Sequence, residues 1–240
     1  MRRPFSCAAV IGMALLLAAP AARAQTVDEI IAKNIQAKGG LEKLKSTNSV
    51  RMTGVATVQG TQVPITTVTK RPNFMRNEME MAGQKLIQGF DGNSMWMSVP
   101  GMPPQEVPPG SQTEILKRNS QFDPAFIDYK EKGHKIEYKG KETDAGKEVH
   151  HLVVTTKDGP VSHYYIDMAT GLETKTVMDI EDPAMKGQLE MRMSDYRNVD
   201  GRMIPFSIVQ VMNGNTVAEM KFEKVEFNIP LDDALFKMPK

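Results

Sequence analysis

Cysteine is almost missing from this chain. The single one, Cys7, lies in an N-terminal apolar run, so the rest can form no disulfide and do no thiol chemistry, and its stability must come from burial. Tryptophan occurs once, as Trp96. Neither sign of charge dominates: 30 basic residues face 29 acidic ones, which leaves no electrostatic footprint for nucleic acid. After the first two dozen residues no apolar stretch approaches the roughly 20 that a spanning helix needs.

Those first residues read as an export signal. Arg2 and Arg3 precede an apolar run from Ala8 to Ala19, and Ala22-Arg23-Ala24 supplies small residues for a peptidase. Residues 1–24 are therefore expected to be removed before Gln25, leaving a periplasmic protein. Residues 25–240 are long enough for one good core.

Thr26 and Glu29 form a capping box, and Val27, Ile30, Ile31 and Ile35 fall on one helical stripe that Gly39-Gly40 ends. From Val50 the apolar period changes to two. Hairpins in series follow, with turns at Gly60-Thr61, Ala82-Gly83, Asp91-Gly92, Asp158-Gly159, Thr170-Gly171, Asp200-Gly201 and Asn213-Gly214. Near Glu223-Lys224 the alternation slips, which predicts a bulge. This pattern predicts an antiparallel meander of ten or eleven strands, wide enough to curl and to need helices on it.

Within residues 73–104 stand six methionines and the tryptophan. Met75, Met79, Met81, Met95 and Met97 share one strand parity, as do Met191 and Met193 further on; Asn77 is a polar intruder on the methionine side. Trp96 has the opposite parity. Methionine re-packs around variable apolar shapes, so these residues are candidates for a groove, with an ordinary core as the competing reading. A proline-rich loop, 100–110, interrupts the meander, and a helix over about 111–129 follows. It carries Ile115, Leu116, Phe122 and Phe126 and reads as a cover for the groove, split or kinked at Asp123-Pro124.

Catalytic readings fare poorly. If Asp158-Gly159 is a two-residue hairpin loop, Val154 pairs with His163 and His150 with Asp167. His150 and His163 then stand four positions apart, roughly 13 Å, with His151 on the other face, which excludes a shared metal. Glu181-Asp182-Pro183 reads as a turn. Nothing resembles a nucleophile elbow, a zinc helix or a phosphate loop, so neither a metal nor a cofactor is expected.

The strand motifs "AKGGLEKL" (Ala37–Leu44), "FDGNSMW" (Phe90–Trp96), "YYIDMATGLETK" (Tyr164–Lys175), "YRNVDGRMIPFSI" (Tyr196–Ile208) and "LDDALFKMP" (Leu231–Pro239) occur in that order. Together they resemble the outer-membrane lipoprotein-sorting superfamily, the LolA-like and LolB-like periplasmic carriers. The resemblance implies a mainly β fold with helices (α+β), an open antiparallel half-barrel whose concave face the helices cover. It implies a non-enzymatic monomer that binds acyl chains of lipoproteins or lipids and exchanges them with a membrane-bound donor or acceptor protein. A sensor or protein-interaction module on the same fold is the alternative. The basic residue that fixes the cover in the LolA-like carriers has no match among these motifs.

Overall fold

A computed structural model describes residues 26–110, 113–114, 117–118, 120–157, 161–180 and 186–239. The expected export signal, Ile115 and Leu116, and the expected turns at Asp158-Gly159 and Glu181-Asp182-Pro183 lie outside the described residues.

The chain opens with α1 (Val27–Ala37) and the short α2 (Leu41–Lys45). Thr26 caps α1: its hydroxyl accepts from the Glu29 amide at 3.2 Å, and the Glu29 carboxylate accepts from the Thr26 amide at 2.8 Å. The strands follow as β1 (Ser49–Val58), β2 (Thr61–Lys70), β3 (Phe74–Met81), β4 (Gln84–Phe90), β5 (Met95–Ser98) and β6 (Gln105–Glu106). After an intervening segment come β7 (Lys135–Asp144), β8 (Lys147–Thr155), β9 (Val161–Asp167), β10 (Glu173–Ile180), β11 (Gly187–Val199), β12 (Arg202–Met212) and β13 (Asn215–Phe227). A 3₁₀ turn, Asp233–Phe236, ends the chain.

All thirteen strands form one antiparallel sheet in the order β6-β5-β4-β3-β2-β1-β13-β12-β11-β10-β9-β8-β7. The sheet is open, since β6 and β7 are its two ends. Thirteen corrects the expected ten or eleven. β6 is two residues inside the proline-rich loop, and β7 alternates lysine and glutamate with partly buried Ile136 and Tyr138, a polar edge that reads weakly as a strand.

The expected bulge is present. Thr53 pairs with Lys224 and Gly54 with Phe222, leaving Glu223 extra. Gly54 is required there, because a Cβ would lie 2.1 Å from the Lys221 carbonyl oxygen.

Directly opposed residues share a sheet face. One face runs Leu152, Tyr164, Thr176, Met191, Gln210 across β8 to β12, and Met220, Ala56, Val63 across β13 to β2. It continues through Ile65, Met79 and Leu86. α1 packs on this face, where Ile30 and Ile31 meet Leu152, Val154, Ile166 and Phe126 in one buried cluster. Polar contacts hold the helix in place: Asn34 Nδ2 donates to the Gly171 carbonyl at 2.9 Å, and Lys38 pairs with Glu173 at 2.9 Å.

The β8–β9 register differs from the expected one by a residue. Val153, not Val154, opposes His163, and His150 opposes Ile166. The two strands are joined by residues 156–160 rather than by a two-residue loop. His151 and His163 therefore share the face opposite α1, with His151 Nε2 and His163 Nδ1 at 2.8 Å and His151 Nδ1 and Glu142 Oε1 at 2.6 Å. Among the described residues no group of three or more His, Cys, Asp or Glu could hold a metal ion.

Burial holds the His163 imidazole below its usual range, helped by the neighbouring His151. His150 is likewise depressed, by burial first and then by Lys141 and Lys33. In both cases the unfolded chain takes up its proton first. Their contribution to stability is thus complete above the unfolded value of about 6.5 and is lost as pH falls through the folded values. The urea midpoint is expected to drop between pH 7 and about 5, above the range where carboxylates titrate near 4. In a His150→Gln/His163→Gln variant that drop shrinks; parallel curves for the two proteins would assign it to other groups.

Candidate functional site

The face that carries α1 also carries a cavity. It lies between strands β8 to β11 and the segment that precedes β7, and its volume is about 180 Å³. Val154, Tyr164, Met178, Leu189 and Met191 line it from the sheet, with Pro124 and Ala125 from the segment. A second, wider cavity of about 440 Å³ adjoins it, sharing Arg118, Gln121, Asp123 and Thr156.

The covering segment is not one helix over 111–129. Residues 113–114 and 117–118 are helical, but 120–129 form turns and bends. Pro124 explains this: its ring disfavours helix at Asp123 and it has no amide to donate. Beyond it the amide of Ile127 bonds the Pro124 carbonyl at 3.0 Å, a turn contact.

Several contacts hold this segment: Phe126 packs in the α1 cluster, Lys45 pairs with Asp128 at 2.7 Å, and Arg71 holds Asp123. Arg71, just after β2, makes a two-pronged pair with Asp123, Nη1 to Oδ2 at 2.5 Å and Nη2 to Oδ1 at 2.6 Å. Its remaining donors reach the Thr47 carbonyl at 2.7 Å and the Leu44 carbonyl at 3.2 Å. Its guanidinium also lies over the Phe122 ring at 4.7 Å. The hydrogen bonds from Arg71 hold the Asp123 carboxyl below its usual range. Both side chains are about a quarter exposed, so the pair is partly screened. Arg71→Met is expected to cost about 1–3 kcal/mol. It should also raise hydrogen exchange selectively over residues 120–127, and a uniform rise across the sheet would mean that Arg71 does not tether this segment.

The methionines singled out by parity do stand on one face, but the structure does not gather them. Met75 and Met95 pack with Phe90 and Val107 in a small buried cluster. Met79 packs against the Ala56, Val63 and Ile65 cluster. Between these groups runs a polar row, Thr67, Asn77 and Gln88 in direct register. Met97 lies in a shallow pocket with Met102 and the proline-rich loop, and Met81, at a strand end, is 53% exposed. Met191 lines the cavity, whereas Met193, one step along β11, is half-buried opposite Ile208.

Of the expected cover, Phe122 lines the wider cavity and Phe126 belongs to the α1 cluster. Trp96 is buried on the opposite face, its Nε1 donating to the Phe236 carbonyl at 2.6 Å. Sequence reading missed Arg118, Tyr164, Met178 and Leu189. For Met178 and Leu189 the signal was present, as apolar residues of strands whose parity matches Met191.

Burial pushes the Tyr164 hydroxyl up to about 12, so it remains a neutral phenol. Arg118 Nη2 donates to Ser162 Oγ, which places the guanidinium where the two cavities meet.

No family model and no curated protein matches this chain. Solved structures do. A protein of the DUF1329 family from Desulfovibrio piger superposes with a TM-score of 0.62 at 12% identity, over 88% of this chain and 97% of its own. A LolA superfamily protein from Nitrosomonas europaea gives 0.58 at 13% identity, over 88% and 97%. A putative outer membrane lipoprotein-sorting protein domain from Vibrio parahaemolyticus gives 0.57 at 12% identity, over 87% and 94%. The chain has the LolA-like fold.

Proposed function

We propose that this chain is a non-catalytic carrier that holds an acyl chain of a lipid or lipoprotein against the α1 face of its sheet. The observation that carries this reading is the cavity beneath the segment that Arg71 holds through Asp123, whose sheet side sets Val154, Met178, Leu189 and Met191 among Ser162, Tyr164 and Thr176. In this reading the sheet is a half-barrel, α1 and the 120–129 segment cover its concave face, and the segment moves as cargo enters. Phe126 anchors one part of the segment in the α1 cluster, whereas the Arg71–Asp123 pair that holds the part before it is partly exposed and cheap to open.

The cavity's titratable groups support binding rather than chemistry. Asp123 is engaged by Arg71, Tyr164 is neutral, and Arg118 is a cation, so none is poised as a general base near neutral pH. The LolA-like fold agrees with a carrier, and the leader at residues 1–24 with delivery to the periplasm. There a membrane-bound donor or acceptor would exchange the cargo.

Native mass spectrometry of the protein, isolated from the envelope without detergent, tests the proposal. Added mass matching fatty acid, phospholipid or acylated peptide is expected. An apo mass, with no uptake of an added fluorescent fatty acid, would overturn the carrier reading and leave the cavity as a packing defect.

A further inference from the structure

The strand directions sort the connections of the sheet to two ends. At one end lie the β1–β2, β3–β4, β5–β6 and β12–β13 connections, which follow one another along the sheet order from β6 to β12. Residues 58–63, 81–84, 99–105 and 212–217 make these four tips. They contain no Asp, Glu, Lys, Arg or His, in a chain that is 25% charged. The turns at the opposite end carry Arg71, Asp91, Asp144, Lys147, Asp200 and Arg202. Charge also returns at the next two connections of the first end, with Lys157 and Glu181.

Six large apolar side chains are exposed among the described residues, and four of them stand at this first end. Met102, Met81 and Val217 occupy the uncharged tips, at 54%, 53% and 41% exposure, and Val161 begins β9. Single exposed apolar residues are ordinary on a protein surface. Three on a run of neighbouring tips from which every charge is missing are a pattern.

We propose that this rim docks on the surface of a phospholipid bilayer, with Met81, Met102 and Val217 entering the interfacial layer. Eight strands at about 4.8 Å give the row of tips a length of roughly 34 Å. A long, narrow front suits a flat partner. A charge drawn into lipid is costly, whereas an uncharged amide or hydroxyl is far less so. The rim's composition is therefore the one a bilayer requires, and nothing in it selects anionic lipid. The position of the smaller cavity agrees. Val154, Met178 and Leu189 line it no more than two residues from where β8, β10 and β11 meet this same end. A docked rim would bring that cavity to the lipid surface. The proposal goes beyond the carrier reading and does not rest on it, since the tips alone define the rim.

Flotation of the mature protein with phosphatidylcholine vesicles is the test. The parent is expected to float with them equally at about 50 and about 500 mM salt, since screening acts only on charge. Met81→Gln/Met102→Gln/Val217→Thr should lower partitioning about 100-fold, several-fold for each apolar side chain withdrawn from lipid. Its melting temperature and its affinity for a fluorescent fatty acid should match the parent's, because the three side chains are exposed and none lines the smaller cavity. Leu41→Gln, at an exposed position on α2, is the control and should float as the parent does.

Undiminished flotation of the triple variant would overturn the proposal. So would flotation that needs added phosphatidylglycerol and is reversed by salt, which would put the contact on cationic side chains. No flotation, with a photo-crosslinker at residue 102 capturing an envelope protein, would overturn it in favour of a protein partner. Salt-insensitive flotation by a protein that takes up no fatty acid would support the rim and count only against the carrier reading.

Discussion

Met191→Asp is expected to weaken binding of a fatty-acid probe by about 100-fold or more while moving the melting temperature only slightly. The expectation follows from what the tail gains and what the aspartate does to it. Each methylene buried against the cavity floor gains roughly 0.8 kcal/mol before the costs of association. A carboxylate in the cavity floor keeps water with it. Either the tail forfeits the contacts near residue 191, or the charge is desolvated without a partner, and each route exceeds the roughly 2.7 kcal/mol of a hundredfold loss.

Folding should tolerate the change. Met191 is only half-buried and is flanked in register by Thr176 and Gln210, both able to hydrogen-bond a carboxylate. Met193→Asp, one step along the same strand face but outside the cavity lining, is the control and should bind nearly as the parent does. Met79→Asp should act differently again, because Met79 packs against the Ala56–Val63–Ile65 cluster. There the loss should fall on stability. Unchanged affinity in Met191→Asp, with Met79→Asp as the variant that fails to bind, would move the site across the sheet to β2–β4.

That contrast shows how far strand parity reaches. It puts Met75, Met79, Met95, Met97, Met191 and Met193 on one face and Trp96 on the other. The capping box at Thr26 and the bulge at Glu223 were also legible, because each depends on neighbours a few residues apart. Parity cannot say which stretch of a thirteen-strand face is filled by its own side chains and which is left open. α1 settles on β7 to β9, beside the cavity, through contacts more than a hundred residues apart such as Ile30 with Leu152, and the 120–127 segment joins it through Phe126 on Tyr164.

The Arg71–Asp123 tether joins a β2 exit to a loop 52 residues later. Neither residue belongs to a motif, so nothing local marks the pair. The histidines failed for a narrower reason. The length of one connection, residues 156–160, decides whether His151 and His163 meet, and a loop one residue different turns every following side chain to the other face.

The largest stability loss is expected on the face away from the cavity. Trp96→Ala should cost about 3–5 kcal/mol, the range for removing a fully buried large aromatic. Trp96 is 1% exposed. Its ring lies over Gly89, where a Cβ would come within 2.2 Å of it, with the Arg76 guanidinium 5.5 Å from its centroid. Its Nε1 donates to the carbonyl of Phe236, whose own ring is fully buried and stacks on Phe74 at 5.3 Å. The C-terminal turn is thus clamped against β3 to β5 by one indole, assisted by Arg76 Nη1 on the Leu235 carbonyl at 3.0 Å and Lys70 Nζ on the Leu231 carbonyl at 2.7 Å.

Trp96→Phe keeps most of the ring but leaves the Phe236 carbonyl without the indole donor, a loss of about 1–3 kcal/mol. Gly89→Ala should also destabilise, by overpacking, at about 1–3 kcal/mol. The two sites share one space, so Gly89→Ala combined with Trp96→Ala should cost less than the sum, since removing the ring makes room for the methyl. Denaturant unfolding of the four proteins measures this directly. Additive losses would mean that the ring does not lie on Gly89, and a Trp96→Ala loss below about 1 kcal/mol would mean that the C-terminal turn is not docked. In either case affinity for the fatty-acid probe should be unchanged wherever the variant is folded, because the clamp and the cavity occupy opposite faces of one sheet.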